Sequence, residues 1–266
     1  MSGYRPSMQT MQPVGTLLRE WRQRRRLTQL DLALDANISA RHLSFMETGR
    51  AQPSREMLLH LSAELDIPLR ERNALLMSAG FAPLFGERRL DDAGLKSARD
   101  AIDLVLAAQQ PFPAFALDRH WNMAASNGAL PQLYDGIAPE LLKPPINALR
   151  LSLHPGGLAP RIANLAEWRA HLLLRLRRQV ELTADPKLAE LLREACAYPA
   201  PPEPAAVPEH AVLVPFRIRT PAGILSFFST TTVFGSPVDV TLSELAIESF
   251  FPADAATAQA VRQLSA

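Results

Sequence analysis

Five arginines, Arg19, Arg22, Arg24, Arg25 and Arg26, fall within eight residues near the start of the chain. Guanidinium groups at that density suit phosphate, although a charge run also describes a plain solvated helix face. A second set of polar groups follows at Thr28, Gln29, Ser39, Arg41, His42 and Ser44, with Ala40 and Phe45 among them. Hydroxyl and amide groups of this kind bind phosphate oxygens, while an arginine fork can reach O6 and N7 of guanine. Farther on, Arg150 and His154 stand in the apolar stretch ALRLSLHPGG and could anchor a carboxylate. Arg150 could equally pair with a surface acid, and His154 could serve the turn at Pro155-Gly156-Gly157.

Other chemistries lack their residues. The six histidines include no His-x-His pair, and only His210 lies in the later strand region. Asp118 and His120 could be two of three facial metal ligands, but a hairpin turn explains them better. Cys196 stands alone, which excludes an internal disulfide and every multi-cysteine zinc site, and it is expected as a small buried hydrophobe. No GxGxxG, GxxxxGK[ST] or GxSxG occurs, so no enzymatic activity, metal or required cofactor is expected.

These residues need elements to hold them. The 266 residues carry 28 basic and 27 acidic groups, and 47% are hydrophobic, as in a folded chain long enough for two cores. The charge is uneven: residues 1–80 hold 11 arginines and no lysine against 8 acids, a basic balance suited to a phosphate-bearing partner. The first residues contain no apolar run like a secretory leader, and HLLLRLRR is broken by arginine far short of a membrane span. A cytoplasmic location without membrane contact is therefore expected.

Val14, Leu17, Leu18 and Trp21 follow helical spacing and predict a first helix ending near Leu27. Thr28 can cap a second through Asp35, and Ser39 a third ending at Thr48-Gly49. A fourth starts at Pro53-Ser54, and a fifth runs from about Leu69 to Ala79. The second and third, joined by a short turn, describe a helix-turn-helix.

The polar stretch 83–94 reads as a linker between domains at 10–82 and 95–266. Beyond it come a helix over 95–108, a hairpin turning at Asp118–His120, and a helix over 161–182 with Ile162, Leu165, Trp168, Leu172, Leu176 and Val180 on its buried face. Arg161, Arg169, Arg175, Arg177 and Arg178 are assigned to its other positions. A helix capped at Asp185-Pro186 is followed by PAPPEPAAVP at 199–208, which cannot be helical. Alternating residues then predict strands over His210–Thr220, Ile224–Phe234 and within Val240–Phe251, before a last helix from about Asp254. The fold class is α+β overall: five helices, then an α+β domain with an antiparallel sheet.

Thr28-Gln29, Leu32-Ala33, Ser39, Glu47-Thr48-Gly49 and Pro53 resemble, in order and spacing, the Xre/Cro-repressor helix-turn-helix family, over about residues 14–80. The resemblance implies a DNA-binding transcription regulator acting on duplex DNA as a homodimer. It implies a structural ion pair between Arg22 and Glu47, and a recognition helix presenting Ser39, Ala40, Arg41, His42, Ser44 and Phe45. In that register Arg41 is the candidate base reader, or otherwise a solvated residue. Ser39 and His42 are phosphate or solvent contacts, and Thr28 and Gln29 lie at the backbone. Ala40 and Phe45 depart from the polar readers of some repressors.

The stretches 111–133, 147–179 and ELAIESFFPAD at 244–254 resemble the PAS-like ligand-binding domain of MmyB-like transcription regulators. This implies a small-molecule sensor, with long-chain fatty acids as a ligand class. A cavity between sheet and helices would find apolar lining in Phe115, Trp121, Trp168, Phe216, Phe227, Phe228, Phe234 and Phe250, which could equally be plain core. A filled-core domain serving only dimerisation, or more remotely an enzymatic one, stands beside the sensor.

Overall fold

The N-terminal helices owe their limits to local caps. In the computed structural model, which describes residues 12–199, 213–235 and 237–264, they are α1 (Val14–Arg24), α2 (Gln29–Asp35), α3 (Ala40–Glu47), α4 (Arg55–Glu64) and α5 (Leu69–Ser78). The hydroxyls of Thr28, Ser39 and Ser54 each accept from the backbone N–H three residues on, satisfying a donor that the first helical turn leaves open. Leu18, Trp21, Leu32, Leu43, Met46, Leu58, Leu61 and Leu75 fill the core between the helices.

The chain divides into two units, residues 1–87 with 238–240, and residues 88–237 with 241–266. Within the first, Asn73 Oδ1 accepts from the amides of Leu84 and Phe85, and its Nδ2 donates to the Phe85 carbonyl. The start of the stretch expected as linker is thus tied to α5.

The second unit carries α6 (Lys96–Ala108), β1 (Ala114–Leu117), β2 (Met123–Ser126), α7 (Ala148–Leu153), α8 (Leu165–Thr183) and α9 (Pro186–Ala197). There follow β3 (Phe216–Thr220), β4 (Gly223–Val233), the short α10 (Val240–Ser243), β5 (Ala246–Pro252) and α11 (Ala255–Leu264). The five strands form one antiparallel sheet in the order β2-β1-β5-β4-β3, so the fold is α+β. Alternation divides its side chains between two faces. Phe115, Leu117, Phe216, Ile218, Phe227 and Phe250 join Trp168, Leu172 and Leu176 of α8 in one core, while Ala114, Ala116 and Ile247 meet Ile102 and Leu106 of α6 in another.

Several boundaries differ from expectation. The strand expected from His210 begins at Phe216; Pro215 before it has no N–H for a ladder, and His210 and Val212 lie outside the described residues. So does the proline-rich stretch beyond Pro199. Ile162 precedes α8 rather than lying on it, bridging to Ile218 instead. Cys196, in the last turn of α9, is exposed rather than buried. Among the described residues, no helix is long and apolar enough to cross a membrane.

Candidate functional sites

In the first unit one carboxylate joins three helices. Glu47 at the end of α3 accepts from Arg22 Nε at 2.6 Å and Nη2 at 2.8 Å, and from Gln29 Nε2 at 2.8 Å. Arg22 also donates through Nη1 to the Leu27 carbonyl at 2.8 Å. Burial alone would push the Glu47 carboxyl up, but the hydrogen bonds from Arg22 and Gln29, with the charges of Arg22 and Arg19, hold it below the ordinary range. Two glycines permit this arrangement. A Cβ on Gly15 would lie 2.3 Å from the Met46 carbonyl oxygen, so α1 crosses the end of α3 at backbone contact, and Gly49 ends the turn after α3 at φ +74°.

With Leu43, Met46 and Glu47 turned inward, α3 leaves Arg41 and His42 exposed and Ala40, Ser44 and Phe45 half-buried. Ser39 Oγ accepts from His42 N at 3.1 Å. Two arginines lie over the Phe45 ring, with the Arg41 guanidinium carbon 5.2 Å and that of Arg50 5.8 Å from its centroid. Both fall within the range of cation–π attraction, which gives Phe45 a place among polar neighbours.

The second unit holds a partly open cavity of about 60 Å³ between the sheet and α7–α8. Phe115, Leu117, Trp121, Trp168, Leu172, Phe216, Phe227 and Phe250 are among its apolar lining, and Ser152, Arg175 and Glu248 supply the polar groups. Arg175 Nη1 donates to Glu248 Oε2 at 2.8 Å, and that oxygen also accepts from Thr231 Oγ1 at 3.0 Å. Ser152 Oγ accepts from Trp168 Nε1 at 2.9 Å. Trp121 reaches the wall from the β1–β2 turn at φ +67°, a strained conformation for a bulky side chain. Its Nε1 donates to Gln179 at 2.6 Å, and the Arg175 guanidinium carbon lies 4.9 Å from its ring centroid. Beneath the turn, Asp118 Oδ1 accepts from the amides of His120 and Asn122. His120 Nε2 meets Asp185 Oδ2 at 2.9 Å.

The model of the MmyB-like transcription regulator ligand-binding domain matches residues 98–264. The chain belongs to this family. A helix-turn-helix model matches residues 18–72, so this MmyB-like protein is a DNA-binding transcription regulator with a ligand-binding domain. No curated protein matches it.

In this MmyB-like regulator, Phe115, Trp121, Trp168, Phe216, Phe227 and Phe250 meet at the cavity, but Arg150, His154, Phe228 and Phe234 do not line it. Arg150 makes a bidentate pair with Glu194, through Nε to Oε1 at 2.9 Å and Nη2 to Oε2 at 2.7 Å, away from the cavity wall. His154 caps the end of α7, its Nδ1 accepting from Gly156 N at 3.0 Å. Phe228 lies on the opposite face of β4 from Phe227 and stacks on Phe251, with ring centroids 5.3 Å apart; Phe234 packs with the α6 core. Gln29 and Thr28, expected at the DNA backbone, are engaged within the protein. Gln29 Nε2 binds Glu47, and Thr28 Oγ1 forms a capping box with Asp31.

The cavity's charged pair had a signal in the sequence. Arg175 stands seven residues after Trp168 and three after Leu172, on the apolar stripe itself, and Glu248 shares the parity of Phe250 in β5. Beside them, burial followed by the charge of Arg175 pushes the His171 imidazole below its usual range, and the ring stacks on Trp168 at 5.5 Å.

Proposed function

We propose that this regulator binds its operator as a cytoplasmic homodimer through α3, with Arg41 reading a base, Ser39 and His42 facing phosphates, and Phe45 steadying Arg41. The division at 10–82, 83–94 and 95–266 goes with this reading. The observation that carries it is the exposed Arg41 fork on a helix whose opposite face is locked to α1 and α2 through Glu47. The reading involves no catalysis and no obligatory cofactor.

A small apolar molecule in the aromatic cavity tunes DNA binding. By the measure on which one water needs roughly 10–15 Å³, a 60 Å³ space takes a compact group of about four to six heavy atoms. A long-chain fatty acid requires more. A neighbouring space of about 200 Å³ shares Pro113, Leu133 and Phe227 with the first, and a long acyl chain fits if those side chains swing aside.

The test is solvent extraction of the purified full chain, mass spectrometry of the extract, and titration of the recovered compound against duplexes enriched from a randomised pool. A change in DNA affinity of about fivefold or more, the lower end of ordinary allosteric coupling, supports the reading. Unchanged affinity at saturating ligand refutes the coupling.

A further inference from the structure

The polar corner of the cavity is a positive and a negative group that already satisfy each other. From this we infer that the ligand-binding domain selects compact apolar molecules whose polar end is uncharged, such as an alcohol or a primary amide, and discriminates against free carboxylates through Glu248. The inference rests on the reading of the aromatic cavity as the ligand site.

Glu248 is 5% exposed and stands on β5, two residues before the wall residue Phe250. Its Oε2 accepts from Arg175 and from Thr231, and Arg175 is held against the Trp121 face. Among the described residues, these bonds use one of the guanidinium's five N–H donors and one of the two carboxylate oxygens. A hydroxyl or amide at this corner can donate to the carboxylate and accept from the guanidinium at once, leaving the ion pair whole.

An ionised carboxylate has no donor for Glu248. It must either sit beside a like charge in a largely apolar cavity or displace Glu248 from Arg175, leaving a buried carboxylate with Thr231 alone. Arg150 and His154 give it no alternative, since neither lines the cavity.

The experiment uses 1-butanol, butanamide and butanoate, which have five or six heavy atoms, share one chain length and differ only in the head, on the full-length protein at neutral pH. Tryptophan fluorescence reports binding, because Trp121 and Trp168 form the wall. The expected result is that the alcohol and the amide bind at least tenfold more tightly than butanoate, and that Glu248→Gln narrows or reverses this ratio. Butanoate binding as tightly as the neutral compounds to the wild-type chain overturns the inference while leaving the cavity reading standing. If none of the three binds, the cavity reading itself falls. The wild-type ratio decides the matter even if Glu248→Gln fails to fold.

Discussion

Replacing Glu47 by alanine tests whether the first unit is held by its buried pair. The substitution removes the acceptor for two guanidinium donors and one amide donor, and leaves Arg22 with the Leu27 carbonyl as its remaining bond. The Arg22 and Glu47 side chains are 9% and 1% exposed, so water cannot readily replace what is lost. Breaking such a pair from one side costs about 3–5 kcal/mol, a large part of the roughly 5–15 kcal/mol that holds a domain folded. Hydrogen exchange followed by mass spectrometry on the full chain reads the two units separately. At about 1.4 kcal/mol per tenfold, globally protected amides in α1 and α3 should exchange roughly two to three and a half orders of magnitude faster. Peptides from the second unit should be unchanged. Unaltered protection in α1 and α3 would refute the reasoning, as would equal acceleration in both units. Replacing both partners by apolar residues of similar volume, Arg22→Met with Glu47→Leu, should restore most of the loss, because no buried charge is then left alone.

The same pair predicts a pH dependence: the folded Glu47 carboxyl lies below its ordinary 4.5, so its contribution is complete above that value and is lost as pH falls through the lower folded one. Protection of α1 should therefore fall more steeply in acid for the wild type than for Glu47→Ala. Arg41→Ala should weaken binding to an enriched duplex by about 1–3 kcal/mol while changing binding to random duplex much less; equal losses on both would move Arg41 to the phosphate contacts. Phe45→Leu should lower the same selectivity and Phe45→Tyr restore it, since only the latter keeps a ring against Arg41 and Arg50. Arg150→Ala should leave ligand affinity measured by fluorescence within about twofold, as its partner is Glu194 outside the cavity, whereas loss of binding would place an anchor there after all.

The helix limits were legible because their signals are local: Thr28, Ser39, Ser54 and Gly49 act on backbone within four residues of themselves. The pairing of Arg22 with Glu47 spans 25 residues and came from family resemblance rather than from spacing. Nothing near Gly15 in the chain announces the Met46 carbonyl that forbids it a side chain. At the cavity, residue type and position point in different directions. Phe228 shares the aromatic character of Phe227, but neighbours on a strand face opposite sides. The charge of Arg175 favours an outward position, but its place in the helix lies on the stripe of Trp168 and Leu172. The pairing of Arg150 with Glu194, 44 residues away, was one of two outcomes that the sequence left open.

The convergence of Arg22, Gln29 and Glu47 also limits how a signal can reach DNA. Allosteric effectors usually supply about 1–3 kcal/mol of differential binding, less than the roughly 3–5 kcal/mol needed to break a buried pair. A ligand therefore lacks the free energy to re-aim α3 against α1 and α2. On the proposed reading the head is in effect a fixed typeface: a ligand would decide how often it strikes the duplex, while the letters it prints stay the same.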